Sequence, residues 1–242
     1  MKPLRPALLL VFAFVPAFSS ANVLHSIGIA RDISDSTVRY VEHHQYLPSG
    51  EHLVRYFDVN GDIIATKAMS YAGLPQHPDI SQSDLRRNID VRARVIDQTL
   101  KTIRYESGQE WAHEIPLDES IIVDAGFDAF VRNNWALFVE NVPRPYKFAV
   151  AGQKRLLRVT ITKQSGSAGE TAFVIRPSNP FIRIVVPDIH LVYNEDLRLV
   201  GYEGLTNLYL PDGHSRHVAV EFKHHIGPGE LARPLARWIP EH

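Results

Sequence analysis

Tyr40, Glu42, His44 and Tyr46 occupy alternate positions of one short segment, "YVEHHQY". In an extended chain alternate side chains point to the same face, so these four would stand in a row. A carboxylate beside an imidazole can orient the ring for proton transfer or steady it as a metal ligand. The same pair can also be purely structural, as a polar ladder on a solvent face or a buried ion pair that fixes strand register. Adding Asp124 as a second carboxylate gives the catalytic version, a hydrolase or metalloenzyme using Glu42, His44 and Asp124.

The chain has 12 histidines, yet their spacing argues against a metal. His43-His44 and His224-His225 are adjacent pairs, and neighbours on a strand point to opposite faces. His214 and His217 have no third ligand nearby, and "HEIPLDE" from His113 lacks the H-E-x-x-H spacing that puts two ligands on one helix face. "DVNGD" starts like a calcium loop, but its glycine comes too early and Met69 stands where the closing glutamate belongs. With no cysteine, thiol chemistry, disulfides and cysteine metal sites are excluded. There is no nucleophile elbow, no Ser-x-x-Lys and no phosphate-cradling glycine loop. The expectation is no metal and no cofactor.

One helix stands out among these strands. In "VDAGFDAFVRNNWALF", Phe127, Phe130, Val131, Asn134, Trp135 and Phe138 fall at helical spacing on one face. The pattern predicts a helix over about 125–138, with Asp124 as its N-cap and an Asp128–Arg132 pair one turn apart. Gly126 would permit close approach of another chain segment. As an N-cap, Asp124 would be worth about 1 kcal/mol. An aromatic face needs an apolar surface to cover it, and Asn134 would be the one polar group there, in need of a hydrogen-bond partner.

That surface must come from strands. "TVRYVEHHQY", the turn Pro48-Ser49-Gly50, "HLVRYFDV", Asn60-Gly61 and "IIATKAMSY" read as successive hairpins. Residues 72–84 read as a Pro-rich polar loop, and Asp90–Tyr105 as one bent strand or two, turning at Gln98-Thr99. Beyond Trp135 come "YKFAVA", "RLLRVTITKQ", "TAFVIRPS", "PDIHLVYN", "LRLVGYEGLTNLYL" and, after Pro211-Asp212-Gly213, "HVAVEFKHH". About ten strands at short intervals predict a mainly β fold. Its antiparallel sheet would curl into a barrel or half-barrel, with the aromatic helix in or over the concave face. Gly201 and Gly204 inside a strand mark a bend or bulge. A Pro-rich tail begins near 227, and Leu231–Trp238 could pack a short turn on one end.

The N-terminus has Lys2 and Arg5, an apolar run from Ala7 to Val15, and Ser19-Ser20-Ala21, which is the order of a secretory signal peptide. The run is well short of the ~20 residues that span a bilayer. Cleavage would leave a single β-rich domain, 22–242, soluble and without a lipid anchor, in a periplasm. It would remove Lys2, Arg5 and no acid, taking the formal charge from −1 to −3. Without a basic block, nucleic acid is not an expected partner. The strands alternate as in an outer-membrane barrel, but Arg39, Arg55 and Arg158 recur along them, which speaks against lipid-facing strands.

Three segments, Y-x-E-x-H at Tyr40–His44, D-A-G-F-D-x-F-V-R from Asp124 and Y-x-G-x-x-N at Tyr202–Asn207, resemble a family of uncharacterised exported bacterial proteins. That resemblance spans the mature chain and implies similarity to the curved half-barrels of periplasmic lipoprotein carriers. The family has no assigned activity. The reading of the residues themselves is a non-enzymatic exported domain whose sheet and helix enclose an apolar space for a lipid or other hydrophobic small molecule, with Phe127, Phe130, Asn134, Trp135 and Tyr202 as its contacts. Tyr40, Glu42, His44 and Asp124 would form a polar site. The alternative is an envelope scaffold that binds another protein, its core permanently filled.

Overall fold

The computed structural model describes residues 23–167, 169–206, 208 and 217–224. In chain order the first half gives β1 (Leu24–Asp32), β2 (Val38–Tyr46), β3 (His52–Phe57), β4 (Ile63–Ser70), β5 (Asp79–Asp84), β6 (Ile89–Ile96), β7 (Thr99–Glu106) and β8 (Gln109–Pro116). A short β9 (Ile121–Val123) leads into helix α1 (Gly126–Asn133) and a single 3-10 turn, Trp135–Leu137. Then follow β10 (Arg144–Ala149), β11 (Leu156–Ser165), β12 (Thr171–Pro177), the short α2 (Pro180–Arg183), β13 (Ile189–Tyr193), β14 (Leu199–Leu205) and β15 (His217–His224).

All fifteen strands of the described residues belong to one open, curled sheet, in the order β8-β7-β6-β5-β4-β3-β2-β1-β15-β14-β13-β12-β11-β10-β9. Neighbours are antiparallel except β9 and β10, which run parallel. Turn chemistry drives the meander. Gly50 and Gly61 take the positive φ their turns require, and the Asp58 carboxylate accepts the amides of Asn60 and Asp62, which is why "DVNGD" is a turn and not an ion loop. Asp97-Gln98 and Ser107-Gly108 are two-residue links with both residues left-handed, as tight hairpins demand.

Strand β1 joins the halves by pairing with β2 on one side and β15 on the other. Gly28 is required there, because a Cβ would lie 2.7 Å from the Phe222 ring and 2.9 Å from Val220. The expected irregularity near Gly201 is present: the β13–β14 register shifts between Val192 and Tyr193, opposite Gly201 and Leu199.

The concave side holds two packed regions. One gathers Tyr40, Val54, Tyr56, Ala65, Met69, Ile80, Ala93, Leu100 and Ile115 from β2 to β8. The other sets Phe130, Val131 and Phe138 against Ile161, Phe173, Ile175, Leu191 and Tyr193. β9 is the partition. Ile121 and Val123 face the first region, Ile122 the second, and all three are at most 1% exposed.

Several expectations need correction. α1 ends at Asn133 rather than running to 138, because the chain tightens into the 3-10 turn that places Phe138. The second half of the 72–84 loop is β5, a polar strand held by the backbones on both sides. Of the two readings of Asp90–Tyr105 the two-strand one holds, with the turn at Asp97-Gln98 instead of Gln98-Thr99, and β1, β8 and β9 bring the described strands to fifteen where about ten were expected. Asp124 is not the N-cap: Ala125 holds that position with no side-chain cap, while Asp124 sits at φ +42° with its carboxylate turned elsewhere. The expected turn at 211–213, the Asn207 of the third motif and the tail from 227 lie outside the described residues.

Candidate functional site

β2 carries Tyr40, Glu42, His44 and Tyr46 on the concave face, as period two requires. Glu42 and His44 are each only 8% exposed. His44 Nε2 lies 2.8 Å from Glu42 Oε2, and His44 Nδ1 lies 2.8 Å from Nε2 of His52 on the next strand. The three side chains form one hydrogen-bonded row. With both rings neutral, His52 donates Nε2–H to His44, and His44 donates Nε2–H to the carboxylate. Tyr46 stacks on His52 at 4.2 Å between centroids, and Phe222 meets His44 edge-on at 5.4 Å.

Burial pushes the hydroxyls of Tyr40, Tyr56 and Tyr202 well above the usual tyrosine range, and the nearby Glu42 charge adds to each shift. These groups stay neutral. The Tyr40 hydroxyl pairs with Thr206 Oγ1 at 2.9 Å, and Tyr202 donates to the Leu205 carbonyl at 2.9 Å.

Asp124 belongs to a separate constellation. Its Oδ1 accepts from Lys67 Nζ at 3.2 Å and from the Ala125 amide at 2.9 Å, and its Oδ2 accepts from the Ala151 amide at 3.2 Å. The Lys67 side chain is 4% exposed, so this ion pair is buried. No hydrogen bond joins Asp124 to the Glu42–His44 pair, although both carboxylates add to the burial that raises the hydroxyls of Tyr56 and Tyr202 between them.

Both ring nitrogens of His44 are taken, and Ser26, its neighbour across β1, has a buried hydroxyl not bonded to the ring. Among the described residues no group of three or more His, Asp or Glu side chains is arranged to hold a metal ion. The row can hold and relay a proton between Glu42 and His52.

Of the residues proposed to meet a ligand, Phe130 is core, Phe127 stacks on Tyr202 at 6.3 Å, and Trp135 packs edge-on against Phe173 at 5.0 Å and Tyr193 at 5.5 Å. The Asn134 amide donates to its own helix, at the Phe130 carbonyl, 2.9 Å. None of these lines either of two clefts among the described residues. A cleft of about 290 Å³ opens between the β2–β3 hairpin (Tyr46, Glu51, His52), Tyr71 and the α1 residues Ala129, Arg132 and Asn133. A second, of about 500 Å³, is lined by Leu74, Val95 and Leu117 with His77, Asp79 and Asp118 among its polar groups. His52 thus connects the buried row to the smaller cleft. Sequence reasoning passed over it, although the Pro48–Gly50 turn sets Tyr46 opposite His52 and so puts His52 on the His44 face.

This arrangement predicts an acid-sensitive fold. Burial, with His44 alongside and the charges of Lys67 and Arg132 nearby, drives His52 down to about 2. His43, on the other face, falls to about 4 through burial beside His25. An imidazole held neutral in the fold but free to protonate when unfolded contributes stability above its unfolded pKa, near 6.5. That contribution is lost as pH falls from there toward the folded value. For His52 the loss should reach about 1–2 kcal/mol by about pH 5, and for the half-buried His43 it should be smaller, because solvent screens it. Urea midpoints should therefore drop between about pH 7 and 5, and His52→Gln should flatten the slope. A wild-type midpoint constant over that window would contradict the burial of a neutral His52.

The three motif segments meet here. Tyr40 of the first bonds Thr206 of the third, and Phe127 of the second stacks on Tyr202 of the third. No family profile matches the chain, and no curated protein matches it. Among solved structures, the chain is similar to a β-barrel-like protein of a domain of unknown function, DUF1849, from Brucella abortus. The two are 7% identical, the alignment covers 84% of this chain and 94% of that one, and the TM-score is 0.32.

Proposed function

We propose that this chain is an exported envelope domain that acts by binding another molecule, as a scaffold whose interior is permanently filled by its own helix. The observation that carries this reading is the packing of α1 and the turn after it. Phe130 and Phe138 are each 3% exposed and Val131 is 0%, and Phe130 and Phe138 meet Tyr146 and Phe173 at ring distances of 5.0 and 5.2 Å. A lid that opened over a ligand would have to tear out a core. Export rests on the signal-peptide order of residues 1–21 and on the resemblance of the three motifs to exported bacterial proteins. Among the described residues no helix is long and apolar enough to cross a membrane.

The hydrophobic-ligand reading keeps a place away from the helix. The cleft of about 500 Å³ beside Leu74, Val95 and Leu117 is of a size that small-molecule sites commonly have.

Fractionation and native mass spectrometry test both readings. The scaffold reading expects a chain beginning near Asn22 in the soluble periplasm, with the bare mass of that chain after purification from its own envelope. Uncut chain in the inner membrane would overturn export. A co-purified lipid lost from Leu117→Asp would overturn the scaffold in favour of a carrier using the second cleft.

A further inference from the structure

The link between β12 and β13 exposes apolar side chains that a soluble protein ordinarily covers. Phe181 and Ile184 are 81% exposed and Val185 is 72%. They project from α2, a single turn started by Asn179, whose side chain accepts the Phe181 amide at 2.9 Å, with Pro180 at its first position. Arg183 Nε donates to the Pro177 carbonyl at 2.7 Å, and the Ser178 amide donates to the Arg158 carbonyl at 2.8 Å. The turn is therefore tied down, and its apolar tip is held outward by built contacts.

Charge surrounds this tip asymmetrically. The β10–β11 turn lies at the same end of the sheet, since Ala149 pairs with Leu156 and Val159 with Pro177. That turn brings exposed Lys154 and Arg155, with exposed Arg158 at the start of β11. Across 150–158 and 176–190 the cations are Lys154, Arg155, Arg158, Arg176 and Arg183 and the acid is Asp188, while on the far side of β13 Glu203 stands opposite His190, 3.7 Å from His217 Nε2. Asp188 is already paired with Arg176 at 2.7 Å. An aromatic and two branched aliphatic side chains flanked on the β10–β11 side by cations match a surface that is anionic outside and apolar just beneath.

We propose that this end of the sheet docks on an anionic lipid bilayer, with Phe181, Ile184 and Val185 entering the headgroup–acyl boundary and Lys154, Arg155 and Arg158 lying against the lipid phosphates. The interaction is peripheral: three side chains and a few charges give reversible attachment. It goes beyond the scaffold reading and does not depend on export, because purified protein and vesicles suffice to test it.

The test is co-sedimentation with phosphatidylcholine vesicles containing either no phosphatidylglycerol or about one-third of it. Wild type should bind the anionic vesicles about tenfold or more above the neutral ones, and added salt should weaken that binding. Lys154→Glu with Arg155→Glu should remove the preference for anionic lipid. Phe181→Ser with Ile184→Ser should lower binding to both, with an unchanged thermal midpoint because those side chains support no core. Equal binding to both vesicle types, or none, would overturn the proposal. So would concentration-dependent self-association in sedimentation velocity that disappears with Phe181→Ser while vesicle binding persists, which would make the tip a contact between copies of this chain.

Discussion

Asp124→Asn is expected to destabilise the protein by about 3–5 kcal/mol, a large part of the ~5–15 kcal/mol that holds a typical domain together. The substitution keeps the shape and an oxygen able to accept from the Ala125 amide, and removes only the charge. What remains is the Lys67 ammonium, on the concave face of β4 between Val54 and Gln82 in register, with a side chain 4% exposed. A buried cation without its partner costs far more than the pair ever contributed. Lys67→Met alone should be costly in the mirror sense, stranding the carboxylate. The double variant should recover much of the loss, because neither charge is then left to desolvate. Urea midpoints of the four proteins would show the coupling. A cost near 1 kcal/mol for Asp124→Asn, with no recovery in the double variant, is what a simple helix cap would give, and it would refute the buried-pair account.

The contrast between cap and ion pair shows where the sequence stops being readable. An aspartate just before an apolar-periodic run looks like an N-cap in any single sequence, because capping is a local pattern. Its actual partners, Lys67 and the Ala151 amide, lie 57 and 27 residues away. Nothing local announces them. Hairpins with glycine turns were legible because a positive φ leaves a residue signature at the turn itself. The Ser107-Gly108 link carried such a signature too, and following it would have found β8. β1 was not legible, since "SIGIA" is buried on both faces between β2 and β15 and has no alternation to show.

The site was half legible for the same reason. Period two correctly put Tyr40, Glu42, His44 and Tyr46 on one face, but periodicity cannot say whether that face meets water or core. Burial of so polar a row is possible because its members satisfy one another: Glu42 with His44, His44 with His52, Tyr40 with Thr206. The outer face of the same strand gives the counterpart. There His43 stacks on His25 at 5.3 Å, so the adjacent His43-His44 pair splits across the sheet as its spacing required.

Phe130→Ala should cost about 3–5 kcal/mol and lower the thermal midpoint more than Trp135→Ala does. Helical spacing ranks the two alike, as large aromatics on one stripe, and tryptophan as the larger loss. The geometry ranks them otherwise. Phe130 is 3% exposed and packs against Tyr146 at 5.0 Å and Phe138 at 6.2 Å, so truncation opens a cavity walled by side chains that cannot collapse into it. Trp135 comes after α1 has ended and is only partly buried. One side of its ring meets Phe173 and Tyr193, while Lys163 Nζ lies over the ring at 5.0 Å. Removing it lets water in where a void would otherwise form, and the expected cost is about 1–3 kcal/mol. The comparison also separates a fixed core helix from a lid, because a lid's aromatic contacts would be weak in empty protein and both truncations mild. Midpoints measured on delipidated protein decide it. If Phe130→Ala shifts the midpoint no more than Trp135→Ala, the helix is not the core of the C-terminal half, and the scaffold reading falls with it.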